Sequence, residues 1–295
     1  MELRILGTAA GGGVPQWNCA CAGCAGARRF PERRRRHASL AVRAAPGRWY
    51  IVNATPDIGE QIEAEPDLWP GPERRATPLA GVILTDAELD HTLGIARLRE
   101  ADAVDVCATP AVRSALRDRL ALGHTLRPYT DLTWTDLPEG GAVRLGTIEA
   151  EGIRVSSKRP RYAADDPPDG GWVVALRLTD LETGGTAVYA PALGTWPENL
   201  RDAVADAACV IIDGTFWDDQ EPRTTGISAR TATEMGHLPI HGPEGTAESL
   251  AKVPGRVLYT HLNNTNPLVD PGAPQHRALA ELGLEVAQEG SVITL

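Results

Sequence analysis

Two short stretches hold side chains that could do chemistry. In Asp86-Ala87-Glu88-Leu89-Asp90-His91, three carboxylates and an imidazole share six residues. Acids crowded at the end of an apolar run are costly unless a cation or water neutralises them. A solvated acidic turn and a metal centre would both meet that need. The metal reading is preferred, because His91 directly follows Asp90 and further chelating groups, Asp213 and His261, appear downstream. The second stretch is Cys19-Ala20-Cys21-Ala22-Gly23-Cys24. Its three thiolates can reach one ion with little chain strain, and Gly23 eases the turn. Zinc takes tetrahedral sulfur and nitrogen ligands, so a fourth must come from elsewhere. A redox pair of Cys21 and Cys24 is the alternative, but it leaves Cys19 without a role and has no thioredoxin-like surroundings.

Each acidic or imidazole group sits where a strand gives way to a loop. Residues 81–84 read as a buried strand before the acidic stretch, and a helix follows from about His91 through Ile95 and Leu98. Residues 208–212 read as another buried strand, ending at Asp213-Gly214-Thr215. Residues 257–260 form a third, running into His261-Leu262-Asn263-Asn264-Thr265-Asn266-Pro267. Further strands are expected over 2–7, 38–43, 49–53, 105–108, 132–135, 142–145, 148–155, 172–178 and 186–189. Thr55 as N-cap and Pro56 at the first helical position predict a helix through Ile62. Helices are also expected over 110–122, 244–252 and 275–282. The long polar segment 156–171 reads as a lid or binding loop. Gly11-Gly12-Gly13 lacks a phosphate-loop pattern, so it reads as a tight turn or a close approach to another segment or a ligand. Alternating strands and helices predict one α/β layered domain over 1–295, with a single site built from the three junctions.

Composition narrows the partners. The 295 residues are 42% hydrophobic, enough for a substantial core, and carry a net charge of −10. That charge argues against nucleic acid, which needs a basic surface; the run Arg33 to Arg36 reads as a solvated loop face. No apolar run approaches the roughly 20 residues of a membrane helix. Glu2 and Arg4 interrupt any signal-peptide core. A cytoplasmic protein without a membrane partner is expected. There, five cysteines read as metal ligands and core residues (Cys107 and Cys209), not as a disulfide framework.

The stretch Thr85 to Gly94, with a distant Asp and a distant His, resembles the metallo-β-lactamase fold family and its T-H-x-H-x-D-H-x-x-G pattern. Asp86 and Glu88 stand where the first two histidines usually are. Asp213 matches the bridging carboxylate and His261 the final histidine. The resemblance is closer to the PqqB branch, which acts in pyrroloquinoline quinone (PQQ) biosynthesis. It is carried by Gly11 to Cys19, Asn53 to Ile58, Leu84 to Gly94, Asp213 to Trp217, Met235 to Ile240 and His261 to Pro267. It implies a four-layer αββα sandwich. It also implies a structural zinc on Cys19, Cys21 and Cys24, with His237 of the Met-Gly-His segment as fourth ligand and His241 as second choice. His37, His124 and His276 lie in no motif and read as surface or capping residues.

A dizinc hydrolase needs several imidazoles around its first metal, and carboxylates replace two of them here. What survives is Asp90, His91 and His261. That is the ligand set of mononuclear non-haem Fe(II) oxygenases, with open positions for dioxygen and substrate. The resemblance implies the same chemistry: iron-dependent hydroxylation of a tyrosine in a PqqA-derived peptide, giving a catechol. Asp213 is read as a further ligand or as an acceptor orienting His91 or His261. Asp86 and Glu88 are read as catalytic groups that tune the site or handle protons. The expected partners are a tyrosine-containing peptide or amino acid and dioxygen, with a homodimer left open. Two competing readings are a two-metal hydrolase with Asp213 bridging and a non-catalytic carrier of PQQ or a precursor.

Overall fold

The computed structural model describes residues 1–138 and 140–295. Its strands are β1 (Glu2–Gly7), β2 (Ser39–Ala45), β3 (Arg48–Val52), β4 (Leu79–Ile83), β5 (Ala103–Ala108), β6 (Asp131–Asp136), β7 (Ala142–Leu145), β8 (Ile148–Ser156), β9 (Val173–Asp180), β10 (Thr186–Ala190), β11 (Cys209–Asp213), β12 (Arg256–Thr260), β13 (Glu285–Val286) and β14 (Val292–Thr294). They form two seven-stranded sheets, ordered β14-β1-β2-β3-β4-β5-β6 and β13-β12-β11-β10-β9-β8-β7.

Side-chain alternation explains the layering. Leu3 and Ile5, Leu40 and Val42, and Tyr50 and Val52 share one buried cluster with Leu176, Leu178, Tyr189, Ile211 and Leu258 of the other sheet. The alternate residues Ala41, Ile51, Val82, Val106, Val210 and Ile212 join a second cluster with helical residues such as Ile58, Leu200, Leu250 and Leu279. Strands buried on both faces read as continuous apolar runs, as β4 and β11 do. Helices cover both outer faces, giving the αββα order that the resemblance implied.

Strands β3 to β6 run parallel, as do β10 to β13. Parallel neighbours bring their C-terminal loops to one edge, which gathers the loops after β4, β11 and β12. Backbone bonds join the two sheets there: Val174 N–H donates to Thr85, Leu262 N–H to Thr8, and Ala10 N–H to Leu262, at 2.8, 2.8 and 2.9 Å.

Several elements depart from expectation. The helix expected to begin at Pro56 spans Ile58–Glu63. Asp57, not Thr55, stands at the cap position and no side chain caps the helix; the Thr55 hydroxyl donates to Asp57 Oδ1 at 2.7 Å. The helix expected over 110–122 holds only as Pro110–Ser114 before a wider turn at Ala115–Arg119. Ala121, at φ 52°, then resets the chain, and a second helix, Leu122–Leu126, buries Leu122 and Leu126. After the acidic stretch, Leu89–Thr92 is α-helical and Leu93–Glu100 continues as 3-10 helix. The helix Glu198–Asp206, unanticipated, buries Leu200, Ala203 and Val204, a helical spacing present in the sequence. Among the described residues, no helix is long and apolar enough to cross a membrane.

Candidate metal centre

The loop after β4 supplies Asp90 and His91, and the loop after β12 supplies His261. One donor atom from each lies within 4.8 Å of the others. His91 Nε2 and His261 Nε2 each lie 3.7 Å from Asp90 Oδ2, and the two rings meet edge to face at 5.3 Å. Both Nε2 atoms are buried and have no hydrogen-bond partner. Buried polar atoms are ordinarily paired. Two unpartnered ring nitrogens converging on one carboxylate fit a divalent cation.

Asp86 fixes the orientation of His91. Its Oδ2 accepts the His91 Nδ1 proton at 2.7 Å and the Thr85 hydroxyl at 2.8 Å, while Oδ1 accepts the Glu88 N–H at 2.9 Å. The side-chain oxygen of Asn53, a residue in left-handed conformation at φ 67°, accepts the Thr85 N–H at 3.0 Å. With Nδ1 donating to Asp86, His91 turns Nε2 toward Asp90, where a cation would take the place of its proton. Asp86 is therefore no solvated turn acid: it is 1% exposed. Burial opposes its charge, yet His91 outweighs burial and holds its carboxyl below the ordinary range. Burial likewise opposes charge on His91, but Asp86 and Asp90 outweigh it and push its pKa up to about 9. The neighbourhood thus favours positive charge. Glu88 lies outside the donor group. Its carboxylate faces Lys158 Nζ at 3.6 Å, and burial raises its pKa.

The glycine loop lines this site, since a Cβ on Gly11 would lie 3.0 Å from Asp90 Oδ2. Behind the loop, His37 is no surface histidine. Its Nδ1 lies 3.0 Å from Asp57 Oδ2, and its ring packs 3.5 Å from where a Gly13 Cβ would stand.

His261 adopts a left-handed backbone, φ 59°, which costs a residue with a Cβ about 1–2 kcal/mol. The strain is held by the bonds of Leu262 to Thr8 and Ala10. His261 Nδ1 lies 2.8 Å from the Thr215 oxygen, and the Thr215 hydroxyl donates to Asp213 Oδ1 at 2.5 Å. Asp213 also accepts the Thr215 N–H at 2.9 Å, the Leu193 N–H at 2.8 Å and the His237 Nδ1 proton at 2.7 Å. With four hydrogen bonds on its two oxygens, Asp213 falls outside the group of Asp90 and His91. It joins a second group, with His237 and His261. Of its two expected roles, the geometry fits the acceptor that orients a histidine: it holds His237 directly and His261 through Thr215.

His237 requires the larger correction. Expected at the cysteines, it stands beside the other histidines, its ring stacked on His261 at 5.7 Å. The Asp213 carboxylate draws it there. A buried acid after β11 needs a donor, and Met-Gly-His supplies one across the loop.

The cysteines form a separate group. The Cys19, Cys21 and Cys24 sulfurs lie within 4.8 Å of one another, and all are free thiols. The side chain facing all three is Asn264, whose amide nitrogen lies 3.1, 3.3 and 3.3 Å from them. Only glycine fits at position 23, because a Cβ there would stand 2.2 Å from the Asn264 carbonyl oxygen. Burial pushes the Cys24 thiol up to about 11, whereas the Cys21 backbone N–H lowers Cys19. Asn264 lies in the His261 to Pro267 motif, but an amide side chain gives no metal-ligand signal in the sequence. His241 stacks on Trp217 at 5.4 Å, His276 Nε2 lies 3.2 Å from the Leu268 carbonyl, and His124 is exposed. Cys107 and Cys209 are buried in β5 and β11 as expected.

A cavity of about 750 Å³ opens above Asp90, His91 and His261, with Leu89, Leu93 and Tyr162 in its walls. The β-lactamase superfamily domain model matches residues 48–262. The coenzyme PQQ synthesis protein B of Azoarcus sp. (strain BH72) is 38% identical over 305 aligned residues, covering 100% of each chain. That of Methylococcus capsulatus is 39% identical over 310, again with 100% of each. Among solved structures, Zn(2+)-bound PqqB from Methylobacterium extorquens superposes with a TM-score of 0.92 at 29% identity, covering 100% of each chain. A diphosphatase of the PhnP family shares the fold, with a TM-score of 0.69 at 17% identity over 99% of this chain and 96% of that one. The chain belongs to the coenzyme PQQ synthesis protein B family, within the β-lactamase superfamily.

Proposed function

We propose that the protein acts in PQQ biosynthesis as an Fe(II)-dependent oxygenase that hydroxylates a tyrosine of a peptide-derived precursor. The observation that carries this reading is the convergence of one carboxylate and two unpartnered imidazole nitrogens at the floor of a cavity. Asp90, His91 and His261 would hold the metal, and Fe(II) in such a set activates dioxygen at its open positions. Asp86 and Thr215 keep the protons of His91 and His261 on Nδ1. Asp213 does the same for His237, whose Nε2 is then left as an acceptor for a phenol proton. Leu89 and Leu93 offer an apolar wall to the ring. The relatives' role in PQQ synthesis and the zinc bound by the Methylobacterium extorquens homologue support the pathway and a metal.

The cysteines would hold a structural zinc, with Asn264 and not His237 facing the fourth position. A two-metal hydrolase draws on the second group, Asp213, His237 and His261. Anaerobic reconstitution with Fe(II) or Zn(II), followed by aerobic assay with tyrosine-containing dipeptides and a reductant, separates the readings. The oxygenase gives dioxygen consumption and a product heavier by one oxygen atom with iron alone. Cleavage of the peptide with Zn(II) and no dioxygen would establish the hydrolase instead.

A further inference from the structure

We infer that the mouth of the cavity above Asp90, His91 and His261 is a carboxylate-binding site, so that the substrate is an organic anion with its charge at the end remote from the metal ligands. This deepens the proposed function and rests on it for the identity of the reacting end.

The chain carries a net charge of −10, yet four cationic side chains line this one cavity: Lys158, Arg159, Arg161 and Arg230. They come from two separate segments, 156–171 and the turn before the 3-10 helix Thr233–Met235. The carboxylates lining the cavity are Asp86, Glu88 and Asp90. Asp86 is committed to His91, and Asp90 faces the two imidazoles. Glu88 meets Lys158 at 3.6 Å, and the Lys158 stem packs over Gly236. Arg159 donates to the Asp166 backbone carbonyl. Arg161 and Arg230 are exposed and make no ion pair among the described residues.

The segment bearing three of these cations is fixed in place. The Tyr162 hydroxyl donates to the Ala87 carbonyl at 2.5 Å, which ties it to the acidic stretch. Thr195 donates from both its N–H and its hydroxyl to the Val155 carbonyl, each at 2.8 Å. Lys158, Arg161 and Arg230 are exposed at the open side of the cavity, whereas His91 and His261 are buried. Leu89 and Leu93, large apolar side chains 42% and 45% exposed, line the same cavity. A guanidinium presents a planar fork that pairs with a carboxylate through two hydrogen bonds. Exposed guanidinium groups and apolar walls in a cavity with buried imidazoles fit a ring that carries carboxylate groups at its solvent-facing end.

The test is calorimetric titration of the Zn(II)-loaded protein, which needs no turnover. N-acetyl-tyrosine should bind roughly tenfold or more tightly than N-acetyl-tyrosinamide, the scale of a charged hydrogen-bonded pair. The double variant Arg161→Gln/Arg230→Gln should lose that preference while zinc content and melting temperature stay unchanged. Equal affinity for acid and amide in the unaltered protein would overturn the assignment. So would a preference that survives the double variant, because the carboxylate would then be resting on the metal. Tricarballylate, a tyrosine-free tricarboxylate, separates this inference from the oxygenase reading. If it binds in an Arg161- and Arg230-dependent way, the anion site stands even where no tyrosyl compound is hydroxylated.

Discussion

The cysteine group and the histidine group share one loop and differ in almost everything else. Asn264 closes over the three sulfurs, whereas His261, three residues earlier, faces a cavity of about 750 Å³. A closed set of soft ligands suits a structural ion, and a set with an open side suits chemistry. The shared loop teaches that one segment can serve a closed group and an open one from positions three residues apart. His261 itself is held in its left-handed conformation by the bonds of Leu262 to Thr8 and Ala10.

The largest test of that contrast is His261→Ala. It should abolish the hydroxylated product in the iron-reconstituted assay while metal analysis still finds zinc at the cysteines. Loss of both would mean that the two groups are not separable. Cys21→Ser should remove about one zinc per chain and lower the melting temperature, since a structural site couples metal binding to folding. Unchanged zinc content would remove the cysteines from the comparison. Asp86→Asn should weaken metal binding at the histidine group by roughly ten- to a hundredfold, the usual cost of losing a ligand's hydrogen-bond partner. Glu88→Gln should stay within roughly tenfold of the unaltered protein. Equal effects of the two substitutions, measured by metal titration, would erase the distinction drawn between these acids.

The smallest effect concerns the loop's anchor. Glu221 accepts the Thr265 hydroxyl at 2.7 Å and the Trp217 N–H at 2.6 Å. Burial pushes its pKa from 4.5 up to about 7. A group whose pKa is raised by folding contributes stability that is complete below its unfolded pKa and is lost as pH rises through the folded one. Melting temperature should therefore fall between about pH 4.5 and 7 through this residue. Glu221→Gln should flatten that slope, and an unchanged slope would assign it to another group.

Much of this was legible in the residues. The apolar runs before Asp86, Asp213 and His261 marked three strand ends, because a strand buried on both faces must be continuously apolar. Thiolate spacing marked the cysteine group, because one short turn fixes three sulfurs. Other features were decided by which partners the folded chain supplies. Local sequence favours Thr55 as a cap, but the helix starts at Ile58 with Asp57 at the cap position, too late for the Thr55 oxygen to accept its first N–H groups. His237 was assigned to the cysteines by its motif, and only the folded chain set its ring beside Asp213 and His261.

Local chemistry therefore determined the elements and the kinds of ligand, since both follow from periodicity and from donor atoms a few residues apart. Which donors meet depended on distances between loops that are not neighbours in the chain, as for His91 with His261 and Asp213 with His237. Those distances follow from how the two sheets stack and from the backbone bonds that join Thr8, Ala10 and Leu262, and Thr85 and Val174. No pattern of neighbouring residues encodes them, because the side chains that meet there are brought together by burial of the strands beneath them.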